Sequence, residues 1–271
     1  YWGDVNGSIV NDYGVSAWDI YDLAGSVMNW MPHIFDRPWA KQVYVMLQNG
    51  VTDQITSFRN LTNSQSNIGT YLLDALQQSG TPHHVCWDQS NHSGVDPVLN
   101  AEGYSGSWCG DKLASDYREI RLDKAYVAFS NSSIDWSPPL YNSANQSFDL
   151  DPNSDDRGGI NRHISWDNNS IVDNHDRFEI DLNVIVEAFD PGQNINYPPE
   201  GEGYQGALPV TVDVTLRREQ KFIGLPGETI SWTFGTQSGS IIVASDNDIK
   251  VVGLELTAAA KKLVLTRVGW N

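Results

Sequence analysis

The chain is poor in positive charge, in cysteine and in long apolar runs. Its 271 residues carry 17 Lys+Arg against 34 Asp+Glu, a formal charge of −17. Nucleic acid and anionic membrane are excluded as default partners, because holding phosphate needs clustered Lys and Arg. No run of about 18 apolar residues occurs, so no transmembrane helix is predicted. The start, Tyr1-Trp2-Gly3-Asp4, is neither basic nor followed by an apolar stretch, unlike a signal peptide. It is also not Met, which predicts either processing or a fragment of a longer precursor.

The two cysteines, Cys86 and Cys109, exclude an all-cysteine metal site, and no CxxC is present. In an oxidising compartment they form one disulfide; in a reducing one they pack as two buried thiols. Asn-x-Ser/Thr triplets include those that start at Asn6, Asn60, Asn131, Asn145 and Asn168. With scarce Lys and many aromatics, they predict a secreted, extracellular protein. Aromatic residues are plentiful, 10 Trp, 11 Tyr and 8 Phe, which excludes a disordered chain and supplies a core.

The pattern changes near residues 118–122, dividing the chain into domains 1–120 and 121–271. In the first, residues 16–31 place Trp18, Tyr21, Leu23, Val27 and Met28 at helical spacing, with Ser16 as N-cap. The run Lys41 to Gln48 reads as a strand buried on both faces, typical of a parallel sheet. A turn with Asp53 follows, then an amphipathic helix over 65–79, ended by Gly80-Thr81-Pro82. A second apolar strand, His84 to Trp87, runs into a polar turn with His92. Strand, turn, helix, strand is α/β logic. After 120, alternation predicts strands at Leu122–Phe129, Arg177–Val184, Thr211–Leu216, Thr229–Phe234, Gly239–Ala244, Lys250–Leu256 and Lys262–Arg267. Their short Gly/Pro/Asn/Asp connections predict a β-sandwich, and 130–160 reads as long loops. The expected fold is therefore a partial α/β sheet with helices, followed by an all-β sandwich.

The stretch Val43 to His92 resembles the C-terminal third of an α/β-hydrolase. In that family the triad acid follows a late strand and the histidine lies in the loop after the last core strand. The matching positions are Asp53 and His92. The resemblance implies that Asp53 orients the imidazole and His92 is the general base for a serine. It implies an ester hydrolase acting on a carbohydrate or polyester. Trp18 and Trp87, with Trp30 and Trp39, suit the lining of a substrate pocket, although core packing is the commoner fate of tryptophan in such a segment. No Gly-x-Ser-x-Gly elbow precedes the acid. Gly103-Tyr104-Ser105-Gly106-Ser107 follows the histidine and reads as a turn. The nucleophile is therefore expected on another chain, an amino-terminal fragment of the same precursor.

Each of these residues has an ordinary alternative role. Asp53 also suits a turn or helix cap, and Asp88 is a weaker acid, only four residues from His92. His83 and His84 point to opposite faces of a strand, which argues against a joint metal role. Asp149, Asp151, Asn153 and Asp155 space oxygens as a calcium loop begins, but the Gly and Glu of an EF-hand are missing, so a solvated acidic loop is expected. No other cofactor or metal is implied. Arg217 and Arg218 could hold a carboxylate, but an internal ion pair is the safer expectation.

The β-rich segment resembles C-terminal domains appended to secreted bacterial hydrolases. Phe129 to Ser133, Gly159-Ile160-Asn161, Ile171-Val172-Asp173, Arg177-Phe178-Glu179, Val212 to Arg218 and Pro226-Gly227-Glu228 with Trp232 carry the likeness, which implies a fold and a setting. The alternative function is a catalytically inactive extracellular binding or adhesion module, or a structural protein assembling through β edges.

Overall fold

A computed structural model describes residues 41–42, 44–50, 76–77, 79–88, 124–135, 141–142, 147–148, 158–186, 204 and 206–269. The described chain holds thirteen strands in order: β1 Val45–Gly50, β2 His83–Asp88, β3 Tyr126–Ser130, β4 Tyr141–Asn142, β5 Ser147–Phe148, β6 Gly158–Ile160 and β7 Ile164–Asp173. Then come β8 Arg177–Val184, β9 Val210–Arg217, β10 Thr229–Phe234, β11 Gln237–Ile242, β12 Lys250–Leu256 and β13 Lys261–Arg267.

A five-stranded sheet, β11-β10-β13-β8-β7, and a three-stranded sheet, β12-β9-β3, share one core. The alternation of β8, Arg177-Phe178-Glu179-Ile180-Asp181-Leu182, buries Phe178, Ile180 and Leu182 and leaves the intervening residues at least partly accessible. Ile230 and Phe234 of β10 and Leu263 and Leu265 of β13 join them. From the other sheet come Val127, Phe129, Val212, Val214, Leu216, Val251 and Leu254. These pairings are antiparallel, as expected of a sandwich. The β10–β11 hairpin turns on Gly235 and Thr236, where Gly235 supplies the positive φ of 59° that a two-residue loop requires.

The expectation of an α/β sheet with helices is corrected. Strands make up 53% of the described residues and helix 4%. β1 and β2 do pair in parallel, Val45 with His83 through Gly50 with Asp88. The other neighbour of β2 is antiparallel β6, from beyond residue 150. An apolar strand needs cover, and among the described residues the sandwich edge supplies part of it. Tyr44 packs against Tyr126 and Trp166, and His84 against Phe129. Of the helix expected over 65–79, Leu76, Gln77 and Ser79 are helical and Gly80 closes the turn at φ 65°. The helix expected over 16–31 and the boundary at 120 lie outside the described residues. No described helix is long and apolar enough to cross a membrane.

Alternation in β9 would leave Asp213, Thr215 and Arg217 in solvent opposite Val212, Val214 and Leu216. All three are buried instead. Arg217 uses all five N–H groups. Nε and Nη2 donate to the Gly80 carbonyl at 3.2 and 2.9 Å, and Nη1 to the Leu216 carbonyl at 2.9 Å. Nη1 and Nη2 also donate to Asp248, at 2.9 and 3.3 Å. Lys41 reaches the same carboxylate at 3.0 Å and Asp246 at 2.8 Å. The guanidinium thus ties the turn before β2 to the sandwich, in the ion pair expected for Arg217.

Gly80→Ala is expected to cost about 1–2 kcal/mol, because a Cβ there meets left-handed strain and lies 2.9 Å from Arg217 Nη2. Arg217→Met, which leaves Asp248 and the Gly80 carbonyl without that partner, is expected to cost about 3 kcal/mol. Urea denaturation of each variant measures both values.

Candidate functional site

Among the described residues, His83, His84, His163 and Asp135 gather where β2 meets the β6–β7 turn and the end of β3. Asn161, in the turn Asn161-Arg162-His163, adopts a left-handed φ of 59° and is fully buried. Asn tolerates this conformation better than most residues, since its short amide can bond locally. Its Nδ2 donates to the carbonyls of His83 (3.0 Å) and Phe129 (3.2 Å), joining β2 to β3. Its backbone N–H donates to Asp135 Oδ1 at 2.8 Å.

His84 is engaged at both ring nitrogens. The Ile164 carbonyl, 3.2 Å from Nε2, can only accept, so Nε2 carries the proton and Nδ1 accepts from the Tyr44 hydroxyl. The imidazole stacks on Tyr44 with centroids 5.7 Å apart. Burial drives its pKa down to about 3, further than the Ile164 bond raises it. His83 donates from Nδ1 to the Thr81 carbonyl at 2.7 Å, and burial lowers its pKa too. Its Nε2 has no hydrogen-bond partner among the described residues, nor does Asn161 Oδ1. His163, with its ring centroid 5.8 Å from that of Tyr204, is pushed down to about 3 by burial and by Arg162. Burial lifts Asp135 to about 6 against the opposing bonds from Asn161 and Ser132.

The seam holds two buried imidazoles, His83 and His84, beside a half-buried imidazole, His163, and a half-buried carboxyl, Asp135. His83 is 2% and His84 3% exposed, and the bonds around them join β2 to β3 and β7. No group of three His, Cys, Asp or Glu among the described residues could hold a metal.

Two further charged groups, Arg267 and Asp213, are buried, whereas Arg177 and Lys262 pair with Glu179 at the surface. Arg267 pairs with Glu228, donates to the carbonyls of His175 and Ile223, and lies 5.0 Å from the Phe222 ring centroid. Asp213 accepts from Asn131 (2.7 Å) and the Gly253 N–H (3.0 Å) and pairs with Lys250 at 2.9 Å. Burial pushes the Asp213 carboxyl up, but these partners outweigh it and hold the pKa below the usual range.

Asp53, His92, Trp18 and Cys109 lie outside the described residues, as do Trp30, Trp39, Asp149, Asp151, Asn153 and Asp155. Of Cys86, Trp87 and Asp88 only the strand position is described. Adjacent His83 and His84 do have separate partners. Asn161 entered the sequence reading only within Gly159-Ile160-Asn161, as part of a likeness and without a role, while His163, Asp135 and Tyr44 were given none. The available signal was an Asn directly after Gly158-Gly159-Ile160, a residue type that tolerates the left-handed turn.

No protein-family model matches this chain. No curated protein or solved structure matches it either. Nothing among these comparisons identifies an α/β-hydrolase.

The seam makes stability depend on acid. A histidine whose folded pKa lies below its unfolded value near 6.5 contributes stability above pH 6.5, lost as pH falls toward 3. His83, His84 and His163 act in that direction. Asp135, raised to about 6, acts oppositely between about 4 and 6. Unfolding near pH 5 is therefore expected to take up protons on balance, the three imidazoles outweighing Asp135. His163→Phe keeps the tilted ring contact with Tyr204 and removes one titration, so the pH slope of unfolding free energy should fall by about one proton. Asn161→Asp places carboxylate oxygen against two carbonyls and should destabilise the protein more than Asn161→Gly, by thermal melting at pH 7.

Proposed function

We propose that this chain is a non-catalytic extracellular binding or assembly module built on a β-sandwich. The observation that carries the reading is how the described polar groups are used. The imidazoles of His83 and His84 and the guanidiniums of Arg217 and Arg267 are buried and bonded to the protein's own backbone or side chains. Apolar side chains, by contrast, reach solvent: Ile223, Leu225, Ile242 and Val268 are each more than half exposed. A protein whose charged groups serve its own fold acts through its surface. The scarcity of Lys and the Asn-x-Ser/Thr triplets favour an exported setting.

One observation favours a second reading, the carboxyl-terminal half of a split serine esterase. β1 and β2 are parallel neighbours that end in register at Gly50 and Asp88. Asp53 and His92 follow those ends by three and four residues. The acid and base of a triad leave adjacent parallel strands in this way. The serine in that reading belongs to an amino-terminal fragment of the precursor.

Ester turnover on p-nitrophenyl acetate and butyrate separates the two. The module reading predicts none above buffer, for the chain alone or with any fragment that co-purifies with it. Turnover that appears with such a fragment and disappears in His92→Ala would establish the esterase.

A further inference from the structure

We propose that the outer edge of β11 pairs antiparallel with β11 of a second copy, joining two five-stranded sheets into one. This deepens the reading of the chain as an assembly module and rests on it. β11 is the last strand of its sheet, and its outer side has no partner among the described residues. The direction of its amides follows from its register. The Val243 N–H donates to the Glu228 carbonyl at 2.9 Å, so alternate positions 241, 239 and 237 also face β10. Ser238, Ser240 and Ile242 therefore direct N–H and C=O outward.

The other edges of the two sandwich sheets carry protection against pairing. β7 shifts register between Asp167 and Val172 and exposes Asp167. β12 bulges between Val251 and Leu254, with Gly253 at φ 71°, and carries Lys250 and Glu255. β3 is buried along nearly its whole length. Edge strands are usually guarded by bulges, charges, proline or cover. β11 has an unbroken register with β10 and lies in a stretch, Thr229 to Ser245, without Asp, Glu, Lys, Arg or Pro. The inward Gly239 lies under the Trp232 ring, 3.0 Å from where a Cβ would stand, which fills the gap that a glycine leaves in a strand.

A second copy suits this edge for reasons of charge and symmetry. Each chain has a net charge of −17, and two copies meet along this strip with no carboxylate on either strand. A two-fold axis at Ser240 sets Ser240 opposite Ser240 and Ser238 opposite Ile242, so every outward N–H meets an outward carbonyl. Ile242, 73% exposed in the single chain, then stands beside Ser238 of the other copy. Thr229 and Val268 continue its row across β10 and β13, since Thr229 pairs with Ile242 and accepts from the Val268 N–H at 3.2 Å.

Sedimentation velocity over a concentration series of the full chain tests the proposal. Wild type is expected to approach twice the 30.1 kDa of the chain as concentration rises. Ser240→Lys sets two cations opposite each other and should raise the dimer dissociation constant at least about tenfold. Ser240→Pro removes an N–H that faces away from β10 and should do the same, with little change in the melting temperature of either variant. A wild type that stays monomeric at every concentration, or variants that dimerise unchanged, overturns the proposal. A monomer that shows no ester turnover leaves the module reading standing, whereas turnover removes that reading whatever the oligomeric state.

Discussion

One buried amide holds the seam together. Both Nδ2 protons of Asn161 are used on carbonyls of different strands, His83 in β2 and Phe129 in β3. The left-handed turn that carries it leads from β6, which pairs with β2, into β7, at the edge of the five-stranded sheet. Without this bond two carbonyls would be buried unpaired, at a cost of about 1–3 kcal/mol each. Here a local conformational requirement and a long-range connection fall on the same residue.

Around that amide the fold repeats one solution, in which buried polar groups bind backbone as well as side chains. Arg217 does so with the Gly80 carbonyl, Arg267 with His175 and Ile223, and His84 with Ile164. Charge-assisted bonds to carbonyls are strong and directional, and they fix where strands and turns sit relative to one another. A neutral imidazole kept from water resists protonation, so its titration shows in stability.

The sandwich strands were legible because their period of two is clean. β8, β10 and β13 fall close to their expected spans, since each alternates apolar and polar residues with no interruption. β7 was not legible: Asp167-Asn168-Asn169 looks like a turn, yet the strand passes through it with a shifted register, and Asn168 bonds the Trp166 indole at 2.7 Å. β6 is three residues of Gly-Gly-Ile, too short for any pattern, and its partner is more than seventy residues away. The parallel pairing of β1 and β2 could be read from their apolar runs, but not what covers them. Doubly buried strands suggest helices on both faces, and sequence cannot distinguish that from docking against another sheet. Arg217 as an internal ion pair was legible in kind, whereas its bond to Gly80 depends on tertiary placement. In the candidate site, His83 and His84 were visible as adjacent strand residues, while the seam around them depends on an asparagine turn with little signature of its own.

The central claim is that the β1–β2 pair and the sandwich form one cooperative unit through this seam. Native-state hydrogen exchange at neutral pH tests it most directly, by comparing the amides of Val85 and Cys86 in β2 with those of Val214 and Leu216 in β9. The account predicts that both sets open only by global unfolding, with the same free energy and the same denaturant dependence. If the β2 amides exchange through a separate opening of much lower free energy, while β9 remains protected, the seam does not hold the two parts together.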